Sequence, residues 1–132
     1  MLKHRRRLQG AVSRLLPIYV EEDKMCVFRV NVARLCGLNA AVIAEYLWQL
    51  YNNEACGDPE MYRHGDYWVK KSALMMTGEF PFLSIDMVKD AVKVLRDNNI
   101  IRKGCFNENK FDHTNWYTFT DFGMKVMEAN VI

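Results

Sequence analysis

Apolar residues recur along this chain with a helical period in some stretches and alternate in others, and the switches between the two mark its elements. The clearest run is Ile85, Val88, Ala91, Val92 and Leu95, one stripe at 3.6-residue spacing that predicts a core-packed helix over 85–97. Ser84 suits its N-cap, Asp86 suits the positive end of the helix dipole, and Asn98 and Asn99 supply an exit. Strand-like segments follow at Ile100–Phe106 and Trp116–Thr120, separated by a polar loop over Asn107–Asn115, so the pair is expected to fold back as a long hairpin. A last helix is expected over Phe122–Asn130, capped by Asp121 or Thr120, with Phe122, Val126 and Met127 docking on the body.

Upstream, Cys26–Asn31 reads as an extended entry. Asn31 is placed to cap a helical turn over Val32–Gly37, and Asn39 to cap a longer helix over Ala40–Asn53. Val42, Ile43, Tyr46, Leu47 and Leu50 form its apolar stripe. Trp48 and Tyr51 widen that stripe; the reading favoured is plain intrachain core, the alternative a possible homodimer contact. Residues 52–66 carry the turn formers of a loop, Tyr67–Val69 a strand, and Lys70–Thr77 a short helix ended by Gly78, with Pro81 barring any helix through the following turn. The first 17 residues place Leu8, Val12, Leu15 and Leu16 at helical spacing before Pro17. The order is that of a winged helix-turn-helix: an α+β chain, mainly α, with a three-helix core, a β-hairpin wing and an extra C-terminal helix. Its expected division is a basic N-terminal arm, 1–24, and a domain over 25–132.

Composition agrees with one folded unit. At 132 residues, half of them hydrophobic and with only seven Gly and three Pro, the chain is able to bury roughly two-thirds of its unfolded surface. No apolar run approaches the ~20 residues of a membrane span, and Leu8–Leu16 is interrupted by Gln9, Gly10, Ser13 and Arg14, so no signal-peptide core is present and a cytoplasmic location is expected. Cys26, Cys36, Cys56 and Cys105 show no paired spacing, which signals neither zinc nor redox chemistry; they are expected to be reduced and mostly buried, and no cofactor is called for. His4, His64 and His113 fall in arm and loops without a nucleophile elbow, a phosphate-binding glycine loop or metal spacing, so no enzyme is expected. The net charge of +2 is unevenly spread. Residues 1–24 hold six basic residues against three acidic ones, which leaves the rest of the chain slightly acidic.

Two stretches carry a family resemblance. Glu79, Phe80, Pro81, Phe82, Leu83 and Ser84, continued by Val88, Lys89, Leu95, Ile100 and Ile101, resemble the helix-turn-helix of small DnaD-like replication proteins of Gram-positive phages and plasmids. Lys110, Phe111, Asp112, His113, Thr114, Asn115, Trp116 and Tyr117 resemble the wing signature of the same group, and Leu38, Asn39 and Ala41 extend the likeness to about residues 26–120. The resemblance implies a DNA-binding module that organises replication or regulates neighbouring genes, with a possible replication or regulatory protein partner and without catalytic residues. One departure bears on function: where that group carries consecutive bases early in the recognition helix, this chain has Lys89 followed by Asp90.

The candidate contacts to duplex DNA are therefore distributed. Lys70 and Lys71 are expected to open the short helix, where side chains and backbone N–H groups meet phosphate. Ser84, Lys89 and Lys93 belong to the predicted recognition helix, with Lys89 and Arg96 at the margin of its solvent face, and Arg102, Lys103, Lys110 and His113 to the wing. Arg5, Arg6 and Arg7 form the arm. For Lys110 and His113, DNA contact and a solvated loop weigh equally; for the arm, a solvated tail outweighs a phosphate contact. Ser72 and Thr77 read first as helix caps. On a helical wheel the solvent face of the 85–97 helix centres on Asp86, Asp90 and Asp97, unusually acidic for a groove reader. That face supports the rival expectation, an interaction module whose acidic surface meets a basic protein partner. Phe80, Pro81, Phe82, Trp116, Tyr117 and Phe119 are assigned mainly to the core rather than to base stacking.

Overall fold

A computed structural model describes residues 23–129. The arm residues Arg5, Arg6 and Arg7 lie outside them, as do the amphipathic positions up to Leu16. Among the described residues the chain is α+β, with five α-helices and two small antiparallel sheets: α1 (Val30–Cys36), α2 (Leu38–Leu50), β1 (Tyr62–Arg63), β2 (Asp66–Tyr67), β3 (Val69–Lys70), α3 (Ala73–Glu79), α4 (Ile85–Asp97), β4 (Ile101–Gly104), β5 (Trp116–Phe119) and α5 (Asp121–Glu128).

α2 is the axis of the core. Its Ala40, Ala41, Val42, Ile43, Ala44 and Leu47 are all buried, and the alanines let α1 and α4 approach from different sides. A wheel with one apolar stripe understates this helix because it is covered almost all round. Gly37 makes the corner: at φ 92° it ends α1, donates its backbone N–H to the Ala33 carbonyl at 2.8 Å, and α2 starts at the next residue. Neither Asn31 nor Asn39 caps a helix, since α1 is preceded by Arg29 and α2 by Gly37, both without a side-chain cap. Glu45 is buried in α2, where it accepts from Gln49 Nε2 at 3.2 Å. Arg29 Nε lies 3.2 Å from Glu45 Oε1 without hydrogen-bond alignment, so that contact is Coulombic.

α4 spans the residues its periodicity predicts. Ser84 Oγ accepts from Met87 N at 3.1 Å, Val88, Ala91, Val92 and Leu95 face inward, and Asn99 leaves the helix at φ 59°. Ile85, expected in the same stripe, is exposed because it opens the first turn beyond the packed part of the helix. β4 and β5 pair antiparallel from Ile101↔Phe119 to Gly104↔Trp116, and β3 adds on the far side of β5 through Val69↔Tyr117, giving the order β3-β5-β4. Both strands of the hairpin are shorter than expected: Ile100, Cys105 and Phe106 lie outside β4, and Thr120 leaves β5 to cap α5. The 52–66 segment is more ordered than its turn formers suggest: α2 widens into a π-helical turn over Tyr51–Ala55, a 3-10 turn follows at Pro59–Met61, and β1 and β2 form a tiny second hairpin.

Several expectations need correction. Lys70 belongs to β3, the short helix begins only at Ala73, and Gly78 lies inside it rather than ending it. Phe122, Pro81 and Phe82 are exposed, Phe82 at 61%, so Gly123 and Met127, with the partly buried Val126, dock α5, while Phe80 and Leu83 carry their turn into the core. Cys26, Cys56 and Cys105 are exposed and Cys36 is half-buried, because three of the four sit in connecting segments rather than on a buried stripe. Among the described residues no helix is long and apolar enough to cross a membrane.

Candidate nucleic-acid interface

The flank of α4 that faces the β4–β5 hairpin is cationic. Lys89, Lys93 and Arg96 follow one another at i, i+4 and i+7, a ridge about 10 Å long at 1.5 Å rise per residue. Across from it stand Lys103 of β4 and His113, Thr114 and Asn115 of the connecting loop, and Ser72, Ala73 and Met76 close the end nearest α3. Together they bound an open groove of about 660 Å³ whose lining holds a single carboxylate, Asp97. Asp97 accepts from Lys93 Nζ at 2.8 Å, with both side chains largely exposed. An exposed pair of this kind contributes about 0–1 kcal/mol, so a phosphate readily replaces its carboxylate.

The acidic face read from the wheel is thus divided in space. Asp97 joins the groove. Asp90 lies on the other flank of α4, beside a crevice of about 350 Å³ lined by Leu38, Met87, Ala91 and Val94. Asp86 is exposed in the first turn between the two flanks. Lys89 and Arg96 fell at the margin of the helical wheel, and that margin is the side turned to the hairpin.

Other cations are occupied within the chain. Lys70 Nζ donates to Asp112 Oδ2 at 2.9 Å, and Arg102 pairs with Asp66 while its guanidinium lies 5.3 Å from the centre of the Trp68 ring. Neither lines the groove, and Lys71 lines a separate cavity of about 300 Å³ beside Leu50 and Trp68. Of the hydroxyls, Ser84 and Ser72 serve as N-caps, Ser72 Oγ accepting from Met75 N at 3.1 Å. Thr77 caps nothing: its hydroxyl is buried without a hydrogen-bond partner among the described residues. Trp48 and Tyr51 are half-buried, stacked at 5.8 Å on one another and edge-on to Phe119, contacts made inside the chain. Burial pushes the Tyr51 phenol up to about 12.

A two-stranded hairpin is marginally stable alone, and this one is braced at both levels. Where the ladder meets the loop, Phe106 packs edge-on against Trp68 at 4.9 Å and Trp116 at 5.4 Å, and Arg63 and Lys70 lie over the Trp116 ring. In the loop, Asn107 Nδ2 donates to the carbonyls of Asp112 and Thr114, each at 2.8 Å, and its Oδ1 accepts from Trp116 Nε1 at 2.7 Å. Asp112 Oδ1 accepts from both the hydroxyl and the amide of Thr114. Those bonds, led by the Thr114 hydroxyl and followed by Lys70, hold the Asp112 carboxyl well below the usual carboxylate range. The turn over 108–111 then projects Lys110 and Phe111, with Lys110 Nζ 5.3 Å from the Phe111 ring centre and Phe111 78% exposed. In the sequence Phe111 stands out only within the wing signature, and its signal there is a lone aromatic in a polar loop.

Comparison of the chain with protein-family models, with curated proteins and with solved structures returned no match.

Proposed function

We infer that the chain is a winged-helix protein that binds duplex DNA without catalysing a reaction, and that the groove between α4 and the hairpin receives one sugar–phosphate strand. The winged-helix reading is supported by element order and by the sheet order β3-β5-β4, in which a short strand preceding two helices pairs with the second strand of the hairpin that follows them. The observation that carries the functional reading is the facing of Lys89, Lys93 and Arg96 across the groove from Lys103 and His113. Cations on two walls neutralise a strand laid between them, and counterion release then supplies the affinity. The exposed Asp86 and the Asp97 of the groove disfavour deep reading of base edges by α4, so backbone grip dominates over sequence readout. On the resemblance of residues 79–101 and 110–117, the setting is phage or plasmid replication, or control of adjacent genes.

The test is a duplex titration over a range of salt concentrations, comparing the native chain with the triple variant Lys89→Glu, Arg96→Glu, Lys103→Glu, whose positions are exposed and leave the core intact. Each lost phosphate contact reduces the slope of log K against log salt by about 0.9, so a fall of about 2 to 3 in slope is expected. An unchanged slope removes the groove from the interface.

A second reading rests on one observation. The opposite flank of α4 joins Asp90 to exposed Leu38 and Met87 beside the 350 Å³ crevice. That mixture of apolar area and one acid suits a protein partner with a basic rim better than it suits DNA. Substituting Asp90→Lys leaves duplex affinity unchanged or raises it if the two flanks serve different partners; a loss of affinity puts Asp90 against DNA.

A further inference from the structure

We propose that Phe111 is a wedge that enters the base stack of bound DNA, so that this protein prefers duplex with a weakened or unpaired step over fully matched duplex. The proposal rests on the duplex-binding reading of the groove and adds a substrate preference to it.

Phe106, Trp68 and Trp116 satisfy one another where the ladder gives way to the loop, and Phe119 packs on Trp48 and Tyr51. Phe111 has no such aromatic neighbour among the described residues and stands 78% exposed at the turn. Its position is held from several directions. Asn109 Oδ1 accepts from Phe111 N at 2.9 Å, the Asp112 amide returns to the Asn109 carbonyl at 3.0 Å, and Asn107 and Lys70 anchor the residues that follow. A loop so bonded holds the backbone at Phe111 in place, which lowers the entropy lost when its exposed ring inserts.

Charge places that ring against nucleic acid. Lys110 precedes it, and His113, two residues beyond, lines the cationic groove. A strand gripped in the groove therefore brings its neighbouring bases to the hairpin tip. Apolar side chains that enter a groove beside cationic contacts partly unstack a base step. The cost of unstacking is lowest where pairing is already lost, and that difference creates the preference.

Affinities are measured for a matched duplex and for the same duplex carrying one mismatched pair, at several salt concentrations. The proteins are the native chain, Phe111→Ala and Phe111→Leu. The native chain is expected to favour the mismatched duplex roughly tenfold, as base–aromatic contacts of this strength imply. Phe111→Ala reduces the preference to near unity with an unchanged salt slope, because no charge is lost, and Phe111→Leu keeps part of it. Equal affinity of the native chain for both duplexes, or a preference retained in Phe111→Ala, overturns the wedge and leaves the groove reading intact. No binding of the native chain to either duplex overturns both.

Discussion

Lys70 Nζ lies 2.9 Å from Asp112 Oδ2, a bond between residues 42 positions apart that ties the sheet's edge strand to the hairpin loop. A lysine expected at the start of a helix is instead a strut of the loop beside the groove. On the proposed duplex-binding function, its removal would act through the loop, with the groove cations left in place. Lys70→Ala is therefore expected to weaken duplex binding while preserving most of the salt slope, whereas Asp112→Asn, which also weakens the two bonds from Thr114, destabilises the loop further. Amide hydrogen exchange over 107–115 checks this: faster exchange in both variants, more so in Asp112→Asn, is expected.

The same carboxylate sets an acid limb. A carboxyl whose folded pKa is lowered contributes stability that is present above its unfolded value, about 3.9, and is lost as pH falls through the folded one. The difference in unfolding midpoint between the native chain and Asp112→Asn should thus be full at neutral pH and shrink progressively below about pH 4. A difference independent of pH down to strongly acidic conditions contradicts the assignment of the low pKa to Asp112.

Thr120 joins the exit of α4 to the start of α5. Its hydroxyl donates to the Asn99 carbonyl and accepts from Gly123 N at 2.8 Å, in a buried position. Thr120→Ala removes an N-cap and the donor to the part-buried Asn99 carbonyl, a cost of about 1–2 kcal/mol. Thr120→Ser should recover most of it; denaturant unfolding of the three proteins measures the difference.

Two helical glycines should respond oppositely to alanine. A Cβ at Gly123 would overlap the Ile100 carbonyl oxygen, so α5 has to move and a loss of about 2 kcal/mol or more is expected. Nothing lies within 4 Å of a Cβ at Gly78, inside α3, where alanine gains about 0.5–1 kcal/mol from propensity. Equal effects of the two substitutions on the thermal midpoint contradict this packing of α5.

How much was legible in the sequence varied with the kind of order involved. α4 was readable to its ends because its single buried stripe and its cap are local features. α2 was read as striped when it is covered nearly all round, since periodicity does not count a helix's neighbours. β3 has two residues, too few for any alternation, so nothing local separates Lys70 from the helix that follows. Among the groove cations the residue types were legible and the direction was not. A wheel gives angles about an axis, while only tertiary structure shows that the hairpin stands beside Lys89 and Arg96 rather than beside Asp90. The pairing of Lys70 with Asp112 and of Arg102 with Asp66 had no local trace.

The groove reading is tested most directly by mapping backbone and side-chain NMR shifts of the intact chain as duplex DNA is added. The account predicts that Lys89, Lys93, Arg96, Lys103 and residues 113–115 shift together in proportion to bound DNA, while Leu38, Met87 and Asp90 on the other flank of α4 stay in place. Shifts centred on Leu38, Met87 and Asp90, with the groove residues unmoved, would contradict it.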